Sequence, residues 1–109
     1  VEHCICGTPG WELYGETAKQ QKEEDLCFQK PTFPSLELAD YLAEEEFVSV
    51  ELVGLVSHMC VLSNAVMAKA AAPEAEIIVD AACTASFDPK LHEEALDLME
   101  ALQITVMNR

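Results

Sequence analysis

Basic residues are scarce in this chain: six Lys and Arg stand against 20 Asp and Glu, for a net charge of -14 at pH 7. Such a balance repels phosphate backbones and anionic lipid, which argues against nucleic acid and membrane surfaces as partners. Long hydrophobic runs are also lacking. The most apolar stretch, Cys60 to Ala72, is interrupted by Ser63, Asn64 and Lys69 and is too short to span a bilayer. Neither a signal peptide nor a low-complexity segment is visible. A disulfide framework is disfavoured too, because the five cysteines (Cys4, Cys6, Cys27, Cys60 and Cys83) are odd in number and irregularly spaced. Reduced thiols in a cytoplasm are the expectation. The chain opens at Val1 with no initiator Met and no preceding apolar strand, as though it began partway through a fold.

What is present is half hydrophobic, and 109 residues suffice for one domain burying about 65% of its unfolded surface. Residues 7–25, with Gly7, Pro9, Gly10 and Gly15 before the run KQQKEED, read as loop with a turn or two of exposed helix. Leu26–Lys30 reads as a short strand. Ser35 is placed to cap a helix with Leu36, Ala39, Leu42 and Ala43 on one face. Val48–Val56 has the near-continuous apolar character of a strand buried on both faces of a parallel sheet. Cys60–Ala72 reads as a helix apolar almost all round, closed by Pro73. Glu76–Val79 is a second buried strand, and Asp80 to Asp88 a polar loop. Asp88 and Pro89 supply an N-cap and a first helical residue, with Leu91, Ala95, Leu98 and Leu102 following at helical spacing. Ile104–Met107 completes the set as a strand. Alternating strands and helices predict an α/β fold, a three-layer Rossmann-like parallel sheet with flanking helices. Ligands in such sheets bind beyond the carboxyl ends of the strands. Cys60 and Lys30 both lie at such ends.

A thiol in the first turn of a helix feels the positive end of the macrodipole, which gives Cys60 a claim to reactivity. Free cysteine is equally a common buried residue, and position alone leaves both readings open. Lys30 could place an ammonium beside that thiol, or be solvated surface. His3, Cys4 and Cys6 form an H-C-x-C cluster of metal-binding types, but a closed zinc site needs four ligands, and the second pair is missing. Cys83 is a rival thiol whose simpler reading is packing at the sheet edge. His58 could serve Cys60 as a base, though a turn separates them. His92 reads as solvated, on the polar side of the last helix.

Taken as a set, these residues resemble the isochorismatase-like cysteine hydrolases, and within them the nicotinamidases. GLVSHMCV resembles that family's nucleophile segment, with Cys60 in the catalytic position. FQKPTF resembles the segment carrying its catalytic lysine, here Lys30. HCICGTPGWEL is similar to the nicotinamidase stretch whose histidine binds metal, here His3. VDAACTASFDPKLHEEALDLMEALQITVM resembles the closing strand, loop, helix and strand.

The resemblance implies one hydrolase domain over 1–109 that lacks its N-terminal portion, where the family keeps its catalytic aspartate and remaining metal ligands. It also implies hydrolysis of a small amide, nicotinamide first among candidates, through a thioester on Cys60. The backbone N–H groups of Val56 and Cys60 would hold the oxyanion, with a cis peptide at Leu55-Val56 and a divalent metal, zinc by resemblance. A homo-oligomer, or self-association through an exposed sheet edge, is expected. Two other readings stand beside it: a non-catalytic remnant of the same fold completed by another chain, and a thiol redox protein using Cys4 and Cys6.

Overall fold

The computed structural model describes residues 3–109. Three strands, β1 (Ser49–Leu55), β2 (Glu76–Ala85) and β3 (Thr105–Met107), form a parallel sheet in the order β1-β2-β3. Parallel neighbours need a crossover. Here α3 (Leu62–Ala71) joins β1 to β2, and α4 (Pro89–Ala101) joins β2 to β3. Ahead of them come a 3₁₀ turn (Pro9–Trp11), the short exposed helix α1 (Gly15–Gln20) and α2 (Leu36–Glu44). Among the described residues no helix is long and apolar enough to cross a membrane.

Register decides what is buried. Val50 lies opposite Ile77 and Leu52 opposite Val79, which in turn faces Val106. Ile77, Val79 and Ala81 are buried on this sheet face against Ala65 and Ala68 of α3 and Ala95, Leu96 and Met99 of α4. The other face is open: Val53 is 56% and Leu55 68% exposed, beside an exposed Glu51. The expectation of a strand buried on both faces is therefore corrected. β1 alternates because nothing among the described residues covers its second face.

The polar loop expected from Asp80 to Asp88 is mostly strand, since β2 continues to Ala85. Between the pairs Leu52↔Val79 and Gly54↔Thr84, β1 advances two residues and β2 five, so β2 carries three extra residues. The bulge is held internally: Asp80 Oδ1 accepts from the Ala82 N–H at 3.1 Å, and Thr84 Oγ1 donates to the Ala81 carbonyl at 3.0 Å. On the β1 side the irregularity falls at Gly54, whose φ of +110° favours a residue without Cβ. Conversely, Leu26–Lys30 is not a strand. It has no ladder partner among the described residues, and Phe28 is instead held by Tyr41, with ring centroids 5.7 Å apart.

The starts of α2 and α4 follow their sequence signals, and their inward faces do so only in part, at Leu42 and Ala95. Ser35 Oγ accepts from the Leu38 N–H at 3.1 Å, and Asp88 Oδ1 accepts from Lys90 and Leu91 N–H at 3.0 and 3.1 Å. In α2 the inward residues are Leu38, Tyr41 and Leu42, while Leu36 is 75% exposed. In α4 they are Ala95, Leu96 and Met99, not Leu91, Leu98 and Leu102. Both stripes of α4 have helical spacing, and the sheet covers only one. Arg109, after β3, bridges Glu93, Asp97 and Glu100 on the outer side of α4. Those three carboxylates, Asp97 foremost, hold its guanidinium pKa above the usual value.

Candidate active site

The helix expected to begin at Cys60 begins earlier, with one turn of π-helix over Ser57–Val61 at the carboxyl end of β1. Its signature bond runs from the Val61 N–H to the Val56 carbonyl at 3.1 Å, five residues back, and the Met59 N–H donates to the same oxygen at 3.0 Å. Single π turns inside α-helices are frequent at functional sites. The Leu55-Val56 peptide immediately before it is cis. Cys60, partly buried, therefore sits in the widened first turn of the helix.

Across from it lies Lys30, whose Nζ is 3.2 Å from Cys60 Sγ and also donates to the Thr32 carbonyl at 3.3 Å. Two residues 30 positions apart are thus brought into contact. An ammonium at this distance stabilises negative charge on sulfur, the charge a nucleophilic thiol must carry.

The turn is tied to its surroundings by two serine–histidine pairs. Ser57, wholly buried, has its Oγ 2.7 Å from Nδ1 of His92 on α4. His92 is thereby removed from the solvated position expected for it, because α4 turns the face bearing Ala95, Leu96 and Met99 inward and His92 lies on that face. His58 Nδ1 lies 2.8 Å from Ser86 Oγ, and its ring stands edge-on to Phe87 with centroids 5.1 Å apart. His58 is thus engaged with the segment after β2. Asn64, which the sequence shows only as an interruption of an apolar run, bonds to the Cys60 carbonyl at 2.8 Å. In the sequence nothing singles it out, since Ser63 and Lys69 interrupt the same apolar helix.

The remaining candidates lie apart from this cluster. Cys83 is exposed in the β2 bulge and not packed at the edge as expected. The charge of Asp80, followed by desolvation and a hydrogen bond to the same carboxylate, raises its thiol pKa. Cys4, Cys6 and Cys27 are exposed free thiols, and Cys6 Sγ approaches Gln29 Oε1 at 4.0 Å. His3 is exposed. Among the described residues no group of three or more His, Cys, Asp or Glu is placed to hold a metal ion, so His3 could contribute at most one ligand. A shallow hollow beside Lys30, lined by Gln29, Pro31, Thr32, Pro34 and Leu36, does not extend to Cys60.

Comparison with known proteins gives a consistent picture. The family model described as the Isochorismatase domain matches residues 1–109. Nicotinamidase PncA from Bacillus subtilis superposes with a TM-score of 0.83 at 29% identity, over 97% of this chain and 62% of that one. Nicotinamidase SaPncA from Staphylococcus aureus gives 0.83 at 31%, over 96% and 70%. Pyrazinamidase of Pyrococcus horikoshii, in complex with zinc, gives 0.82 at 21%, over 99% and 62%, an identity that speaks for the fold alone. The chain thus spans 62% of the Bacillus and Pyrococcus proteins. No curated protein matches it by sequence.

Proposed function

This chain belongs to the isochorismatase family, and from that premise we propose that it carries the nucleophile and the activating cation of a cysteine hydrolase of small amides, with nicotinamide as substrate. The observation that carries the reading is the 3.2 Å contact between Lys30 Nζ and Cys60 Sγ beside the π turn. Cys60 thiolate attacks the amide carbonyl carbon, forming a C–S bond and placing negative charge on the carbonyl oxygen. The N–H groups of Val56 and Cys60 would receive that oxyanion, in the manner of preorganised donors. Collapse breaks the C–N bond and releases ammonia with a proton supplied by a general acid, leaving a thioester. Water then cleaves the thioester to the carboxylic acid and restores the thiol. General acid–base help in such a step is typically worth about 10²–10⁴-fold. The family resemblance assigns it to an aspartate for which it supplies no counterpart in this chain.

Zinc accompanies the Pyrococcus pyrazinamidase, and a divalent metal would polarise or hold a pyridine ring. The described residues do not fit such a site by themselves, because no group of three or more His, Cys, Asp or Glu among them is placed to hold a metal ion. One observation favours a second reading, in which the chain works with another copy or another segment: the open face of β1 with Val53 and Leu55. A scaffold of this kind would associate without turning over.

The two readings separate on covalent chemistry. The chain is incubated with nicotinamide, acid-quenched and digested, and the Cys60 peptide is examined by mass spectrometry. A nicotinoyl adduct on that peptide is expected in the wild type and absent in Cys60→Ala, with ammonia release falling to background. Ammonia release that survives Cys60→Ala would sink the proposal.

A further inference from the structure

Lys30 and Cys60 meet across a gap that no strand pairing bridges, since residues 26–30 join no ladder among those described. Their distance therefore depends on how the loop after Lys30 is docked. Part of that docking comes from a side chain of α3. Asn64, 9% exposed, donates from Nδ2 to the Cys60 carbonyl at 2.8 Å and to the Phe33 carbonyl at 3.0 Å. Its Oδ1 accepts from the Ser35 N–H at 3.0 Å.

The chemistry of these partners fixes the amide's orientation. Two carbonyl oxygens can only accept and the N–H can only donate, so the flipped amide would mismatch all three. One carboxamide thus joins the residue that bears the thiol, the loop that follows the ammonium, and the residue that caps α2. The loop's grip reaches the ammonium directly, because Thr32, next to the pinned Phe33, accepts from Lys30 Nζ. A hydroxyl at position 64 could not span the three groups, and a carboxylate would face two carbonyl oxygens with no proton to offer.

We infer that Asn64 is a positioning residue: its carboxamide sets the Lys30–Cys60 distance by tying the Phe33–Ser35 backbone to the carbonyl of Cys60. The inference rests on Lys30 and Cys60 being the reacting pair of the proposed hydrolase. The hydrogen bonds of Asn64 run to the Phe33 and Cys60 carbonyls and the Ser35 N–H, and so act on the reacting pair through the backbone. Its bonds to Phe33 and Ser35 are long-range in sequence, which separates it from an ordinary helix residue bonding back one turn.

The test reads proximity and not turnover. o-Phthalaldehyde condenses with one amine and one thiol held close together, losing two waters to give a fluorescent isoindole. The linked peptides are then identified by mass spectrometry. In the full chain a Lys30–Cys60 isoindole is expected, absent in Lys30→Met and in Cys60→Ala. Asn64→Ala and the nearly isosteric Asn64→Asp are each expected to lower its yield several-fold while helical circular dichroism is kept. Wild-type yield in either folded variant overturns the positioning role. Loss of yield together with helicity in both variants also overturns it, and assigns Asn64 to the core. If the wild-type chain forms no such adduct, the Lys30–Cys60 pair itself fails and the inference falls with it.

Discussion

Cys83 and Cys60 differ in the charge that neighbours them. Asp80, with a smaller contribution from Glu51, pushes the Cys83 thiol up and keeps it protonated to higher pH than an ordinary cysteine. Cys60 faces an ammonium instead. Replacing Asp80 by Asn removes the charge while keeping an acceptor for the Ala82 N–H. The pH at which Cys83 is half-alkylated by iodoacetamide should therefore fall, read peptide by peptide; an unchanged midpoint would show that Asp80 is not the cause. Cys60 was legible in the sequence as a residue beyond a strand end, whereas the strand expected to end at Lys30 is absent and the contact between the two was not legible, because a 30-residue separation says nothing about approach. Asn64 and the Ser57–His92 pair were illegible for a related reason. Polar residues in an apolar helix read as breaks, and only their partners on other elements reveal them as ties.

At the level of elements, boundaries were easier to foresee than faces. Asp88 followed by proline marks the start of α4 through local chemistry, and the expected N-cap accepts from the Lys90 and Leu91 N–H groups. Asp88→Ala should cost about 1 kcal/mol, the usual loss for an N-cap. It should appear as a lower urea midpoint with an unchanged slope. The inward face of α4 was not legible, because Leu91, Ala95, Leu98 and Leu102 and the observed Ala95, Leu96 and Met99 stripe satisfy the same 3.6-residue period. Packing chose between them. The extension of β2 to Ala85 was hidden likewise, since the bulge places Asp80 and Cys83 where an uninterrupted strand would carry apolar residues. The Leu26–Lys30 strand failed for want of a neighbour, a condition that no local pattern contains.

For the whole molecule, parallel order and crossover helices were foreseen from alternation alone, and the unequal exposure of the two sheet faces was not. Val53 at 56% and Leu55 at 68% exposure leave apolar side chains open on one face of β1. Exposed strands of this kind favour association. The net charge of -14 opposes association by self-repulsion and is screened by salt, with a Debye length of about 10 Å at 0.1 M. Sedimentation velocity should therefore show mass increasing with protein concentration and further with added salt. Val53→Lys should shift the population back toward monomer. A monomer at all concentrations and salt levels would remove the case for a partner on this face.

The π turn at Ser57–Val61 sets helical regularity against the placement of the thiol. One more residue is accommodated there than a regular helical turn would take. Deleting a residue would make the backbone more regular. It would also rotate everything on one side of the deletion by about 100° relative to the other, the angle of one residue in an α-helix. The thiol could not then stay opposite Lys30 while Asn64 kept its three bonds. A regular helix and a sulfur presented to Lys30 are thus competing arrangements at this turn, and the extra residue goes with the second.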